Sequence, residues 1–128
     1  MKKLLFNLPL IFVTLAILFF SNMSAPPKVL QFNLWDKVQH SIAFFLFGIG
    51  LQLHFFSTKS VPKLKYVVLY TFVIGSLFGA SDEFHQYFIP NRFVDFADWV
   101  ADICGVIISL FFVKFVNQFV TNFLKDIE

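Results

Sequence analysis

Charged side chains are scarce in this chain. Only 14% of its 128 residues are Asp, Glu, Lys or Arg, whereas 58% are hydrophobic and 21 are Phe. Soluble domains carry about 25% charged residues, because charged side chains cover the surface that faces water. The composition therefore excludes an ordinary soluble domain and predicts an integral membrane protein, whose length suits a single domain, residues 1–128.

Cysteine and clustered basic charge are also nearly absent. The single cysteine, Cys104, excludes an internal disulfide, and its position in an apolar run is typical of a small helix residue. The formal net charge is +2, and the ten basic residues are scattered along the chain. Nucleic-acid-binding proteins instead concentrate Lys and Arg on one face, so no nucleic-acid partner is expected.

Four apolar segments are each long enough to cross a bilayer as a helix, since about 20 helical residues rise about 30 Å. The first segment has two interpretations, a signal peptide or a span, and Pro9 is a candidate kink within it. Apolar regions of signal peptides are usually ~7–15 residues long with a small-residue cleavage site, so the longer run here favours a span. The predicted spans cover residues 4–22, 37–56, 64–86 and 95–113.

The C-terminal residues 114–127 mix apolar and polar side chains with a helical period. This pattern predicts an amphipathic helix that lies in the membrane interface. The predicted fold is therefore an all-α membrane protein, with four transmembrane helices in an up-and-down bundle and a C-terminal interfacial amphipathic helix.

Basic residues fall unevenly between the two predicted sides of the membrane. Cytoplasmic loops carry the excess of Lys and Arg, so both termini are predicted to be cytoplasmic. Seven basic residues would then lie inside and three outside: Lys2, Lys3, Lys59, Lys63, Lys65, Lys114 and Lys125 against Lys28, Lys37 and Arg92.

Acidic side chains concentrate at the outward end of the predicted bundle, where three helix ends meet. Carboxylates this close in a medium of reduced dielectric cannot all stay ionised, so some must be protonated, paired or metal-bound. The single arginine, Arg92, is expected to lie close to Asp82, Glu83 or Asp98, because its planar fork suits a carboxylate or a phosphate. The predicted pocket is lined by Asp36, His40, Asp82, Glu83, Gln86, Arg92, Asp98 and Asp102.

Part of this acidity has a purely structural interpretation. Asp36 and Asp95 stand where helices begin, and a carboxylate there can cap free backbone amides. His40 is expected to hydrogen-bond a carboxylate such as Asp36, four residues earlier, rather than to bind a metal. The remaining acids need no capping role and are the stronger site candidates: Asp82, Glu83, Asp98 and Asp102.

The chain resembles the VanZ-like family of small bacterial membrane proteins over about residues 36–110. The resemblance rests on four motifs in order: Asp36-Lys37-x-x-His40, Asp82-Glu83-x-x-Gln86, Pro90-x-Arg92 and Asp98-x-x-Ala101-x-x-x-Gly105. Two positions differ, since Asn91 stands where the family often has Gly, and Asp102 where it usually has Asn. The resemblance implies a cell-envelope role in the bacterial inner membrane, because the family is named for an accessory part in teicoplanin resistance. It implies no established enzymatic activity.

One function that fits is an envelope-facing pocket that binds or processes a lipid-linked or peptidoglycan-related ligand and affects glycopeptide susceptibility. If the protein is an enzyme, Glu83 or Asp98 would act as general base and His40 as an acid or orienting group. A divalent cation could bridge the acids. The ligand-binding residues would be Asp36, Asp82, Gln86, Arg92 and Asp102.

The alternative is a non-enzymatic membrane scaffold or partner-docking protein, whose polar network only locks the helix bundle. A transporter is disfavoured, because no charge lies near the predicted midplane and the 128 residues contain no repeated halves for alternating access.

Overall fold

The structure is a computed structural model that describes residues 2–24, 34–58 and 62–125. In these ranges all regular structure is helical, which confirms the all-α class for the described part of the chain. The helices are α1 (Lys2–Leu5), α2 (Leu8–Ser21), α3 (Leu34–Ser57), α4 (Leu64–Gln86), α5 (Phe96–Leu110) and α6 (Val113–Lys125).

Two of these helices, α3 and α4, are long and apolar enough to cross a membrane. They have 24 and 23 residues, and at about 1.5 Å per residue each is longer than the roughly 30 Å hydrocarbon core. Their bounds contain or equal those predicted for the second and third spans, because neither apolar run is interrupted by proline.

The first predicted span, residues 4–22, is not one continuous helix. A turn at Phe6 and Asn7 separates α1 from α2, and Pro9 lies in the first turn of α2. Proline is tolerated there, because the first backbone amides of a helix have no partner within it. The 14 residues of α2 rise only about 21 Å, so this helix is shorter than a full span.

The fourth predicted span is also broken. Helix α5 ends at Leu110, and α6 continues after two residues at an angle of 54°. The pair is a third candidate span only if both helices are taken together as one bent crossing. Length and composition thus indicate two to three spans in the described residues. A total of four spans stays a prediction.

Helix α3 is the centre of the bundle and contacts α2, α4, α5 and α6. Its contact with α5 is the most extensive, because Gly105 lets the two backbones come close. A Cβ atom at Gly105 would overlap the carbonyl oxygen of Ser41 and lie 2.9 Å from the backbone nitrogen of Phe45. Ser41 also donates a hydrogen bond of 2.7 Å to the carbonyl oxygen of Ala101.

Large apolar side chains cover the outer surface of the bundle. Phe12 is 74% exposed on α2, Leu77 66% on α4 and Phe111 82% after α5. Exposed apolar surface on this scale is expected where lipid, rather than water, surrounds the helices. This surface is that of a membrane protein.

Helix α6 packs one side against the bundle. Its three valines are buried in a cluster with Phe6 and Phe56: Val113, Val116 and Val120. Polar side chains such as Lys114 and Gln118 face outward. A helix is present in this segment up to Lys125, and residues 126–127 lie outside the described residues. Phe115 and Phe119 are exposed beside these polar residues, so the amphipathic, interfacial character stays a prediction.

Candidate functional site

Lys37 is the buried counter-charge of the acidic end of the bundle. Its Nζ donates hydrogen bonds to Asp95 Oδ2 and Asp98 Oδ1 and forms an ion pair with each. The Asp98 side chain is 8% exposed and the Asp95 side chain 46% exposed, so only the ion pair between Lys37 and Asp98 is buried. Together the two pairs tie the start of α3 to the start of α5.

Asp95 also caps α5, as the sequence predicts. Its side chain accepts a hydrogen bond of 2.8 Å from the backbone nitrogen of Ala97. Its own backbone nitrogen donates to Glu83 Oε2 at 3.0 Å. The capping role and the ion pair with Lys37 are thus both present in one residue.

His40 is held by Asp102, which is fully buried on α5. His40 Nδ1 lies 2.9 Å from Asp102 Oδ1, and His40 Nε2 lies 4.0 Å from Asp98 Oδ1. A carboxylate accepts the bond, so in the neutral imidazole Nδ1 carries the proton and Nε2 keeps a lone pair. The sequence predicts a carboxylate partner for His40, with Asp36 as the candidate; in the structure the partner is a carboxylate, that of Asp102.

Glu83 approaches the same histidine from α4. It is 3% exposed, and its Oε1 is buried without a hydrogen-bond partner among the described residues. Ligand atoms of His40, Glu83 and Asp98 lie within 4.8 Å of one another. We call these three residues, with Asp102 behind His40, the buried cluster.

Asp82, next to Glu83 in sequence, faces a different helix. Its Oδ1 accepts a hydrogen bond of 2.6 Å from Ser21 Oγ at the end of α2. Its Oδ2 accepts a bond of 3.1 Å from Gln86 Nε2, one turn later on α4. Asp82 therefore joins α2 to α4, whereas Glu83 joins α4 to α5.

Arg92 does not form the predicted ion pair with Asp82, Glu83 or Asp98 in the part of the chain that the structure describes. Its Nε donates to the carbonyl oxygen of Met23 at 3.1 Å, and its Nη2 to that of Phe20 at 3.2 Å. The last carbonyls of a helix have no partner within it, and they are the negative end of the helix dipole. Arg92 thus stabilises the end of α2. Lys37, rather than Arg92, forms the ion pairs with the acids.

The turn between α4 and α5 requires a left-handed backbone at Asn91, where φ is 62°. Few residues with a side chain adopt this conformation, and Asn does so more readily than most. Asn91 can therefore replace the glycine that the resemblance implies at this position.

A cavity of about 470 Å³ lies between α2, α3 and α4 at the acidic end of the bundle. One wall is apolar, and its outer residues Phe12, Phe20 and Ile42 are exposed on the side of the bundle. The other end is polar and is lined by Ser21, Asp36, Gln39, His40, Asp82, Gln86 and Arg92.

The eight predicted site residues thus divide into two neighbouring groups. His40 belongs to both, because it lines the cavity and forms part of the buried cluster. Asp36, Asp82, Gln86 and Arg92 line the cavity only, whereas Glu83, Asp98 and Asp102 lie behind His40 and do not line it.

Sequence reasoning missed Ser21 as a partner of Asp82 and gave Lys37 too little weight. The sequence does point to Lys37 as a site residue, since it is part of the motif Asp36-Lys37-x-x-His40. Nothing in the sequence points to Ser21, because an isolated serine at the end of an apolar run is common. Lys28, the third basic residue predicted on the outer side, lies outside the described residues.

Comparison with known proteins gives one match. A protein-family model described as VanZ/LLP1 matches residues 2–117. No curated protein and no solved structure matches the chain.

Proposed function

Because the chain belongs to the VanZ/LLP1 family, we propose that it is a cell-envelope protein that binds a lipid-linked or peptidoglycan-related ligand in the cavity between α2, α3 and α4. Family membership indicates a membrane protein linked to glycopeptide resistance. We further propose that binding of this envelope ligand affects susceptibility to teicoplanin-type antibiotics.

The observation that carries the proposal is the amphipathic lining of the cavity. Its volume of about 470 Å³ falls in the range of roughly 300–1,000 Å³ that is typical of ligand pockets. Apolar side chains of α2 and α3 form the wall that is open to the side of the bundle, and polar side chains close the end. A ligand with an apolar chain and a polar headgroup matches both parts at once.

Arg92 suits a phosphate in such a headgroup. Its guanidinium has five N–H donors, and its bonds to the Phe20 and Met23 carbonyls use the Nε donor and one donor on Nη2. The donors left over can form the charge-assisted bonds that favour Arg in phosphate recognition. Gln39, which also lines the cavity, offers a side-chain oxygen acceptor for hydroxyl or amine groups of the same headgroup.

His40 is the residue through which chemistry on the ligand would proceed. The residues expected to act as general base, Glu83 and Asp98, do not line the cavity. His40 lines the cavity and also belongs to the buried cluster with both acids. We therefore propose binding as the function, with His40 forming part of the polar end of the cavity.

In the proposed membrane arrangement the chain crosses the bacterial inner membrane four times, with both termini in the cytoplasm. The seven-to-three asymmetry of basic residues supports this orientation. It brings the cavity and the buried cluster to the outer leaflet, where lipid-linked envelope precursors are used.

The second candidate function is a scaffold, and the cross-helix bonds favour it. Lys37 joins α3 to α5, and Ser21 joins α2 to α4 through Asp82. Such a network can specify helix packing without any ligand.

A variant that fills the cavity separates these two functions. Ala16 lies on the cavity wall and forms none of the polar contacts, so Ala16→Phe would occupy the space while leaving the network intact. The matched control is Ala80→Phe on the exposed side of α4. Each variant is measured for membrane abundance, for glycopeptide susceptibility in cells, and for binding of a radiolabelled polyprenyl phosphate by the purified protein.

Ligand binding predicts that Ala16→Phe loses polyprenyl phosphate binding and alters susceptibility at normal abundance, whereas Ala80→Phe matches the wild type. If Ala16→Phe behaves as wild type in both assays, the cavity has no ligand role and the scaffold function is favoured.

A further inference from the structure

We propose that the buried cluster binds one divalent transition-metal ion through His40, Glu83 and Asp98. This inference goes beyond ligand binding in the cavity. Its test needs no lipid, so the two proposals can fail separately.

The three side chains present ligand atoms to one another from three different helices. His40 lies on α3, Glu83 on α4 and Asp98 on α5, and their ligand atoms lie within 4.8 Å of one another. A metal ion bound by all three residues would bring their ligand atoms closer together, because metal bonds to imidazole nitrogen and carboxylate oxygen are about 2.0–2.2 Å long.

Glu83 supplies the strongest indication of a missing partner. Its Oε1 is buried and has no hydrogen-bond partner in the described residues, although the residue is only 3% exposed. A buried carboxylate oxygen without a partner is costly, and a metal ion, like a hydrogen-bond donor, would remove that cost.

Asp102 places His40 as a metal-binding histidine is usually placed. It accepts a hydrogen bond from Nδ1, which turns Nε2 toward Asp98 at 4.0 Å from Oδ1. Metal-binding histidines almost always donate their other N–H to a carboxylate, a carbonyl oxygen or water, which fixes the ring and its tautomer. We describe Asp102 as a positioning residue, since it acts through His40.

Lys37 does not exclude a metal ion at Asp98. Its Nζ bonds Asp98 Oδ1, the oxygen that also lies 4.0 Å from His40 Nε2. A carboxylate has two oxygens with about four lone-pair sites, so Asp98 can accept both the lysine and a metal ion.

One imidazole and two carboxylates favour Zn²⁺, Mn²⁺ or Fe²⁺ over Mg²⁺ or Ca²⁺, which prefer oxygen ligands alone. The experiment uses tag-free protein in detergent, stripped with a chelator and dialysed, then titrated with ZnCl₂ and in parallel with MnCl₂ by calorimetry. We expect about one equivalent of metal per chain.

Variants of the ligand residues are paired with controls of the same residue type. Glu83→Gln and His40→Asn should each weaken binding at least about tenfold, and Asp102→Asn should weaken it by about 10–100-fold through loss of ring positioning. The controls are Asp82→Asn, which removes a neighbouring acid, and His54→Asn, whose imidazole bonds Asn7 at the other end of the bundle. Both controls should stay within about threefold of the wild type.

Thermal unfolding provides a second readout that needs only the wild type, Asp82→Asn and Glu83→Gln. Added Zn²⁺ or Mn²⁺ should raise the Tm of the stripped wild type and of Asp82→Asn, but not of Glu83→Gln. The proposal is overturned if the wild type takes up neither ion, or if Glu83→Gln and His40→Asn bind the ion as tightly as the wild type does.

Discussion

Ser21 Oγ donates a hydrogen bond of 2.6 Å to Asp82 Oδ1, although the two residues are 61 positions apart. Ser21 is the last residue of α2, and Asp82 lies in the last turns of α4. Both side chains are buried, so this bond fixes the position of the short helix α2 on the wall of the cavity.

Removal of the Ser21 hydroxyl should destabilise the bundle. Ser21→Ala leaves one buried oxygen of Asp82 without its donor, which costs about 1–3 kcal/mol. We expect a lower Tm in detergent. The control is Ser81→Ala, because the Ser81 hydroxyl bonds the Phe78 carbonyl at an exposed site and should matter little. Equal Tm values for the two variants would contradict the role assigned to Ser21.

Lys37 should matter more for stability than Arg92. Lys37→Met leaves Asp98 buried without its cation, at a cost of about 3–5 kcal/mol. Arg92→Met removes two hydrogen bonds to exposed carbonyls, and no ion pair, so a loss nearer about 1 kcal/mol is expected. Unfolding of both variants in detergent checks this order.

A double variant tests whether the Lys37 effect arises from Asp98. Lys37→Met with Asp98→Asn removes both charges, and it should be more stable than Lys37→Met alone. Asp95→Asn should have a small effect, because that side chain is 46% exposed and Asn also caps helices. A double variant as unstable as the single one would show that Lys37 acts through another contact.

Gly105→Ala should separate α3 from α5. The added methyl group would meet the Ser41 carbonyl and the Phe45 backbone nitrogen, which cannot move as side chains do. Overpacking of this kind costs about 1–3 kcal/mol or more. Gly48→Ala is the comparison, because its methyl group meets the side chain of Ser109. We expect Ser109→Gly to recover part of the Tm lost in Gly48→Ala, since it removes the overlapping side chain but also the hydroxyl that Gln52 bonds. We expect no second change to restore Gly105→Ala. A Gly105→Ala protein with wild-type Tm would contradict the close approach.

The proposed orientation can be tested by cysteine labelling in a Cys104→Ser background. Pro90→Cys, in the turn between α4 and α5, should react with an impermeant thiol reagent in intact cells. Lys63→Cys, just before α4, should react only after lysis. The opposite pattern would place the cavity and the buried cluster at the cytoplasmic side.

Sequence reasoning was most accurate where one local property decides the structure. The third span was predicted as residues 64–86 and is Leu64–Gln86, because a long apolar run with no proline has few alternatives to one helix. The acidic end of the bundle was also predicted, since the order of spans alone brings Asp36, Glu83 and Asp98 to the same side.

Partner choices within the site were predicted less well. His40 was expected to bond Asp36 and instead bonds Asp102, 62 positions away. Arg92 was expected close to an acid; it lines the cavity with Asp82, but it donates its hydrogen bonds to the carbonyls of Phe20 and Met23 at the end of α2. These choices depend on how far each helix is rotated about its axis and how closely the helices approach. Such rotations are set by packing between distant segments, such as that of Gly105 against Ser41, which periodicity along the chain does not encode.

If the cavity binds a lipid-linked ligand as proposed, its open side determines how the ligand reaches it. Phe12, Phe20, Ile42 and Leu46 form its outer margin and are exposed on the side of the helices. A molecule that enters there comes by lateral diffusion within one leaflet of the bilayer. Occupancy is then governed by the mole fraction of the ligand among the lipids, not by its concentration in the aqueous phase. Water-soluble headgroup analogues that lack an acyl or prenyl chain should therefore be poor competitors, however well they match the polar end.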